Sequence, residues 1–299
     1  MQLTLLAREL QQALKGEVKL NQPLGAFTTW RLGGPADLFY QPLNQEELVK
    51  CLNFARQKGL PMHIMGNGSN ILVLDRGVRG LVLHTRHWRQ IKFGEGFLYA
   101  GAGALISELL RVAVRQEMGG LEFAAGIPAT IGGAAVTNAG TPEGCLADII
   151  RGVELVTLKG ETRYLARQNI SFAYRSSSLR REGLVTAVEL QLVASRADDI
   201  RAMIKANLAR RRQKQPLNWP NAGSVFKNPP GHFAGQLIEE AGAKGWRVGQ
   251  AEVSTKHANF IINRGQATAA EVIELINRVR EAVAKKSGIT LELEIEIWG

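Results

Sequence analysis

Three short segments bring together residue types that can do chemistry. The first is Gly66-Asn67-Gly68-Ser69-Asn70, between two apolar runs. Two glycines let backbone amides converge on an anion, and Ser69 and Asn70 add side-chain donors, so the chemistry on offer is phosphate binding. An ordinary glycine turn has the same composition. No Lys-Ser or Lys-Thr pair follows, which excludes a Walker loop. The spacing also fails the GxGxxG dinucleotide fingerprint. The second segment runs from Gly126 to Gly140, GIPATIGGAAVTNAG. It is too apolar for a flexible linker and reads as tight turns packed against something flat or charged. Two glycine segments, both flanked by strands, suit one extended cofactor lying across both. The third is Asn221-Ala222-Gly223-Ser224-Val225-Phe226-Lys227-Asn228-Pro229, with Ser, Lys and Asn around a glycine that permits close approach. It also reads as a polar loop with a solvated lysine. No GxSxG elbow occurs, which speaks against a hydrolase serine. His84 and His87 are three apart with no third ligand nearby, and a zinc site needs three or four.

Stepping outward, periodicity predicts the elements that carry these segments. Asn44 and Glu47 form a capping box, Leu48, Cys51, Leu52 and Ala55 follow at helical spacing, and Gly59 ends that helix. Short strands are expected at Met62 to Met65 and Val78 to Leu83, with an apolar run from Ile71 to Leu74. Ile106, Leu109, Leu110 and Ala113 share a helical face, and Gly119-Gly120 stops that helix. A third helix starts near Asp198, with Ile200, Met203, Ile204 and Leu208 on one face, and ends at the basic run and Pro216. Thr268 and Glu271 form a second capping box before Val272, Leu275, Ile276, Val279 and Val283. At the end of the chain Ile289, Leu291, Leu293, Ile295 and Ile297 alternate with Thr290, Glu292, Glu294 and Glu296, the pattern of a half-buried strand.

Composition narrows the class. The chain has 299 residues, 45% of them hydrophobic and 21% charged, enough for a sizeable core in two or three domains. No apolar stretch is long enough to span a bilayer, and the first twenty residues lack a signal-peptide layout. Cys51 and Cys145 are too far apart in sequence for a CxxC motif and fit buried thiols in a reducing cytoplasm. The formal net charge of +10 favours anionic partners. The densest basic run, Arg210, Arg211, Arg212 and Lys214, reads first as a solvated helix end. With 6% aromatics and no recognisable nucleic-acid module, a phosphorylated small molecule is the better partner than RNA.

Seven segments, in order, resemble the UDP-N-acetylenolpyruvoylglucosamine reductases of cell-wall synthesis. They are TWRLGGPADLF, GNGSNILV, GIPATIGGAAVTNAG, SFAYRSS, NAGSVFKNP, AGQLIEEAGAKGWRVGQAEVS and NFIIN, and the resemblance spans Thr28 to Gly299. It implies an α+β protein with the FAD-binding fold of the vanillyl-alcohol-oxidase / p-cresol-methylhydroxylase type. Two α/β subdomains, 1–83 and 84–197, would hold FAD noncovalently. A C-terminal α+β domain, 198–299, would bind substrate, its last strand completing the active site. Gly66, Asn67, Gly68, Ser69 and Asn70 would cradle the FAD pyrophosphate. Gly126, Pro128, Ala129, Gly132, Gly133, Asn138, Ala139 and Gly140 would line the rest of the cofactor.

The implied reaction takes a hydride from NADPH onto FAD and then to the enolpyruvyl group of UDP-N-acetylglucosamine enolpyruvate, giving UDP-N-acetylmuramate. By position in SFAYRSS, Arg175 matches the family's arginine, whose planar fork suits the substrate carboxylate. Ser224 matches its proton donor and Glu294 the glutamate that works beside the arginine. Lys227 and Asn228 would hold the diphosphate or sugar and Tyr174 the uridine side. The ending EIEIWG departs from the family in placing Glu296 where a basic residue is usual; facing the site, Glu296 would raise the pKa of Glu294. Short connections between motifs resemble the shorter subtype, without the inserted tyrosine loop. His257, just before NFIIN, is open to a pocket-facing or a structural role. The partners implied are the UDP-sugar and NADPH, with no nucleic acid, no membrane insertion, no metal and a cytoplasmic location. The oligomeric state stays open, and a monomer suffices.

Overall fold

The computed structural model describes residues 2–94 and 96–299. The chain forms two compact units. One comprises residues 1–21, 37–67 and 79–209, and the other 22–36, 68–78 and 210–299.

The first unit contains the body of a four-stranded sheet, in the order Lys19–Pro23, Pro35–Tyr40, Val78–His84, Met62–Met65. The last two run parallel, with Met62 opposite Leu81 and Met65 opposite His84. Helix Gln45–Lys58 begins as its sequence predicts, with Asn44 Oδ1 accepting from Glu47 N at 3.0 Å, and Gly59 closes it at φ 63°. The Glu47 carboxylate does not complete the box; it turns to Tyr40 Oη and to the amides of Lys15 and Leu43. Burying that carboxylate requires these donors.

A five-stranded antiparallel sheet forms the rest of the unit, in the order Thr162–Ala166, Ile150–Val156, Leu184–Gln191, Phe97–Gly101, Ile91–Gly94. Its inner face carries Leu98, Ala100, Val153, Leu155, Val188 and Leu190. These pack with Ile106, Leu109 and Leu110 of helix Ile106–Arg115 and with Ile131, Ala134 and Ala135. That helix ends at Arg115, short of Gly119-Gly120, because Glu117 turns left-handed at φ 53°. In helix Ala197–Lys214 Ile200 is buried, but Met203 is 55% exposed and does not share its buried face. Cys51 is buried and Cys145 half-buried, both as free thiols.

The second unit is built on a three-stranded antiparallel sheet, Arg247–Val248, Ala251–Val253 and Ile261–Asn263. Helix Ala269–Ser287 buries all five predicted core residues, Val272, Leu275, Ile276, Val279 and Val283. Both arms of its Thr268/Glu271 capping box form. Two excursions from early in the chain are fixed here. Trp30, fully buried, donates Nε1 to Ile261 O at 2.8 Å, and Asn263 Nδ2 donates to Trp30 O at 3.0 Å. Ile71–Val73 pairs in parallel with Glu296–Trp298.

The chain end is therefore not one alternating strand. Leu291 and Ile295 are buried as predicted, but the backbone bends at Glu294-Ile295, and only Glu296–Trp298 is strand. Beyond the bend the phase reverses, leaving Ile297 39% exposed and Trp298 buried. Among the described residues no helix is long and apolar enough to cross a membrane, and no cluster of three His, Cys, Asp or Glu could hold a metal.

Candidate active site

In the first unit the two glycine segments meet. A Cβ on Gly66 would lie 2.2 Å from Thr130 Oγ1, so a glycine is required for this approach. Asn67 Nδ2 donates to Pro128 O at 2.6 Å. His84, which the sequence offers only as half of an incomplete zinc pair with His87, supports the loop. Its Nδ1 faces Gln41 Nε2 at 2.9 Å, its ring stacks on Phe39, and it hydrogen-bonds to the Gly66 backbone.

The segment 126–140 contains a helix, Ile131–Thr137, where the sequence suggested only turns. Thr130 caps it through Gly133 N, and Asn138 ends it left-handed at φ 47°. Gly132 sits where a Cβ would come within 2.7 Å of Ala102 Cβ, so the helix packs directly on the turn that follows strand Phe97–Gly101. Gly126, Pro128 and Gly133 are exposed, Ala129, Ala139 and Gly140 half-buried, and Asn138 buried. An exposed surface made of backbone and small side chains, backed by the core, fits a flat, extended group such as FAD with its phosphates.

Asn138 joins this segment to the arginine. Its Oδ1 accepts from Ala147 N and its Nδ2 donates to Ala173 O at 3.1 Å, while Ser177 Oγ donates to Val136 O at 2.7 Å. Ala173 and Ser177 belong to the hairpin Phe172–Ala173/Ser176–Ser177, whose two turn residues are Tyr174 and Arg175. Arg175 is half-buried at φ 55°, a conformation that costs a non-glycine residue about 1–2 kcal/mol. Its guanidinium lies 5.1 Å from the centroid of the exposed Tyr174 ring. Arg31 and Glu117 share this left-handed conformation, at φ 57° and 53°.

In the second unit one backbone network gathers the remaining predicted residues. Ser224 is half-buried and precedes Val225 and Phe226, which are fully buried. Val225 O accepts from Glu294 N at 2.8 Å, Lys227 N donates to Glu292 O at 2.9 Å, and Phe226 bridges Leu293. The serine segment and the Glu294 segment are thus edge to edge. Asn70 ties in the loop, donating Nδ2 to Glu294 O at 3.1 Å and accepting Glu296 N on its own carbonyl at 2.9 Å. Gly68, at φ 58°, leaves no room for a side chain, since its Cβ would meet Phe27 O at 2.3 Å. Ser69 is half-buried beside it. Lys227 Nζ reaches Glu292 Oε2 at 3.4 Å, and Asn228 Oδ1 accepts from Ala234 N, the start of helix Ala234–Glu240.

Sequence reasoning overlooked the residue that anchors this network. Asn259 is buried and bonds to Phe226 through both ends of its side-chain amide. His257 lies beside it, accepting Asn259 N on Nδ1 at 3.3 Å and packing edge-on against Phe260. Burial, with the nearby Lys244 charge, holds the His257 pKa below its ordinary value.

Glycine-rich backbone packed over an α/β core suits a flavin, and the class is that of the flavin-dependent oxidoreductases. Residues 36–166 match the FAD binding domain model, and residues 215–298 match that of the UDP-N-acetylenolpyruvoylglucosamine reductase C-terminal domain. The chain is 63% identical over 299 residues to the UDP-N-acetylenolpyruvoylglucosamine reductase of Moorella thermoacetica, a match covering 100% of this chain and 99% of the other. It is 44% identical over 299 residues to that of Desulforamulus reducens, covering 99% and 98%. The crystal structure of the reductase from Thermus caldophilus superposes with a TM-score of 0.82 at 37% identity, covering 95% of this chain and 99% of that one. The chain belongs to the UDP-N-acetylenolpyruvoylglucosamine reductase family.

Proposed function

We propose that Arg175, Ser224 and Glu294 carry the reaction. The chain is an FAD-dependent oxidoreductase that reduces UDP-N-acetylglucosamine enolpyruvate to UDP-N-acetylmuramate with NADPH, a step of peptidoglycan precursor synthesis. When bound, FAD supplies the hydride, which adds to the terminal carbon of the enolpyruvyl double bond. Negative charge then builds on the adjacent carbon and its carboxylate. Arg175 meets that charge with a fixed, planar donor set. Ser224 delivers the proton to the adjacent carbon, with Glu294 working beside the arginine. Lys227 and Asn228 bind the diphosphate or sugar, and Tyr174 the uridine side. Gly66 to Asn70 and the 126–140 segment hold FAD noncovalently.

The finer assignments accompany this reading. FAD is held by a fold of the vanillyl-alcohol-oxidase / p-cresol-methylhydroxylase type, with functional divisions at 1–83, 84–197 and 198–299. The enzyme is of the short subtype without the tyrosine loop, and it acts in the cytoplasm. NADPH and substrate use the flavin in turn, so double-reciprocal plots should be parallel.

The observation that supports the residue roles best is the backbone network joining Val225 to Glu294 and Lys227 to Glu292. It fixes three of the assigned residues with respect to one another, as a proton-delivery site requires. The test is anaerobic absorbance of the purified holoenzyme. NADPH should bleach the flavin, and UDP-N-acetylglucosamine enolpyruvate should then restore its colour. Ser224→Ala should bleach normally and recolour at least 10²-fold more slowly. Normal recolouring in that variant removes Ser224 from the reaction.

A further inference from the structure

We propose that Asn259 is the positioning residue for Ser224, an inference that rests on Ser224 being the proton donor. Asn259 is 3% exposed. Its Oδ1 accepts from Phe226 N at 2.9 Å, its Nδ2 donates to Phe226 O at 2.8 Å, and its backbone carbonyl accepts from Val225 N at 2.9 Å. Three bonds from one residue therefore fasten the two residues that follow Ser224.

The other edge of the same segment is held by Glu294 N on Val225 O and Lys227 N on Glu292 O. Strand-like pairing thus continues on both sides, with a side-chain amide standing in for a neighbouring strand. Phe226 is buried, so its N–H and C=O both need partners, and one carboxamide satisfies both. Only a group that donates and accepts in this geometry can do so. Asp lacks the donor, and Ala or Ser cannot span both atoms.

The residue before Ser224 is held by fewer bonds. Gly223, left-handed at φ 76° with open space where a Cβ would be, is held by one bond, its N–H donating to Asn221 Oδ1 at 2.9 Å, and Asn221 itself is only half-buried. Most of the bonds that fix the serine lie on its C-terminal side, and three of them come from Asn259. Loosening that anchor by about 1 Å costs a proton transfer on the order of 10²-fold.

The experiment compares both half-reactions by anaerobic stopped flow in holoenzyme carrying Asn259→Ala, Asn259→Ser, Ser224→Ala and the double variant Ser224→Ala/Asn259→Ala. For the Asn259 variants flavin reduction by NADPH should stay within about twofold. Recolouring by UDP-N-acetylglucosamine enolpyruvate should slow by about 10- to 100-fold, with an increased solvent deuterium isotope effect. Substrate affinity, measured by the spectral shift of oxidised flavin, should change by less than about threefold. The double variant should recolour no more slowly than Ser224→Ala, because Asn259 acts only through the serine. Equal slowing of both half-reactions, or multiplicative slowing in the double variant, overturns the proposal in favour of a general structural role. Should Ser224→Ala slow recolouring while Asn259→Ala and Asn259→Ser do not, the Asn259 inference alone falls. Should Ser224→Ala recolour normally, the reading of Ser224 falls, whatever Asn259 does. Thermal melts identify a variant that has simply lost its fold; the milder Asn259→Ser then decides.

Discussion

Acidification should destabilise this protein through His84 before its carboxylates titrate fully. The ring is held down to a pKa of about 4, from an ordinary 6.5, by burial first and by the positive charge of Arg86 second; its hydrogen bond to the Gly66 backbone opposes the shift without cancelling it. With Nδ1 facing the Gln41 amide, the neutral ring carries its proton on Nε2. The sign follows from the two states. The unfolded chain binds a proton near pH 6.5, and the folded chain resists it until about pH 4. The neutral ring's contribution is complete above pH 6.5 and drains away as pH falls toward 4. A shift from 6.5 to about 4 is worth roughly 3.4 kcal/mol in the limit, of which about 3 kcal/mol is lost by pH 4. Urea denaturation followed by circular dichroism, at steps from pH 7 to pH 4, measures it in the wild type and in His84→Gln. Gln keeps polar contacts and does not titrate. Carboxylates and His257 contribute to both proteins and cancel in the difference. The wild type should lose about 3 kcal/mol more than the variant across this range. Parallel curves would refute the argument that burial keeps His84 neutral.

Three further outcomes are expected. Arg175→Gly should stabilise the protein by up to about 1 kcal/mol, since glycine accepts the left-handed turn, while turnover falls by about 10²–10³-fold; a melt and an assay read both, and a variant that is less stable would contradict the strain. Gly66→Ala should cost about 1–3 kcal/mol and weaken FAD retention, because its Cβ would displace Thr130 Oγ1 from 2.2 Å; thermal unfolding with and without added FAD checks this, and unchanged retention would separate the loop from the cofactor. Asp75→Ala should cost about 1–2 kcal/mol, as Oδ1 and Oδ2 accept from Ala269 N and Ala270 N at 2.9 Å each; an unchanged denaturation midpoint would show that helix Ala269–Ser287 does not depend on this cap.

What could be read from the sequence was mostly local. Asn44 and Thr268 announce their helices because a capping side chain and its partner lie three residues apart, and both cap bonds form. The face of Val272, Leu275, Ile276, Val279 and Val283 is buried for the same reason: helical period alone decides it. Errors arose where distant chain intervenes. The terminal alternation of Ile and Leu with Glu satisfies a strand's pattern, yet Glu296–Trp298 pairs with Ile71–Val73, more than 220 residues away, and the bend at Glu294-Ile295 reverses its phase. Met203 keeps helical spacing with Ile200 but finds nothing to cover it. Chain order also hides that residues 22–36 and 68–78 belong with 210–299.

The candidate site shows the same division at finer scale. Glycines at 66, 68 and 132 are visible as glycines, but the reason for each is a particular atom: Thr130 Oγ1, Phe27 O, Ala102 Cβ. Those atoms come from turns and loops elsewhere in the chain, so composition could suggest close approach without saying to what. Arg175, Ser224 and Glu294 were selected by resemblance, since Arg180 and Arg181, or Glu292 and Glu296, compete on residue type alone. Their surroundings differ from those of their competitors. Arg175 alone among these arginines holds a left-handed turn, and Glu294 alone among these glutamates donates its amide to the residue after Ser224. Asn259 had no signal at all, because a buried asparagine in NFIIN looks like any other polar residue until both ends of its amide are seen on Phe226. Residues proposed to touch substrate are found by type and motif. Those that hold them in place are found by asking where each buried N–H and C=O goes.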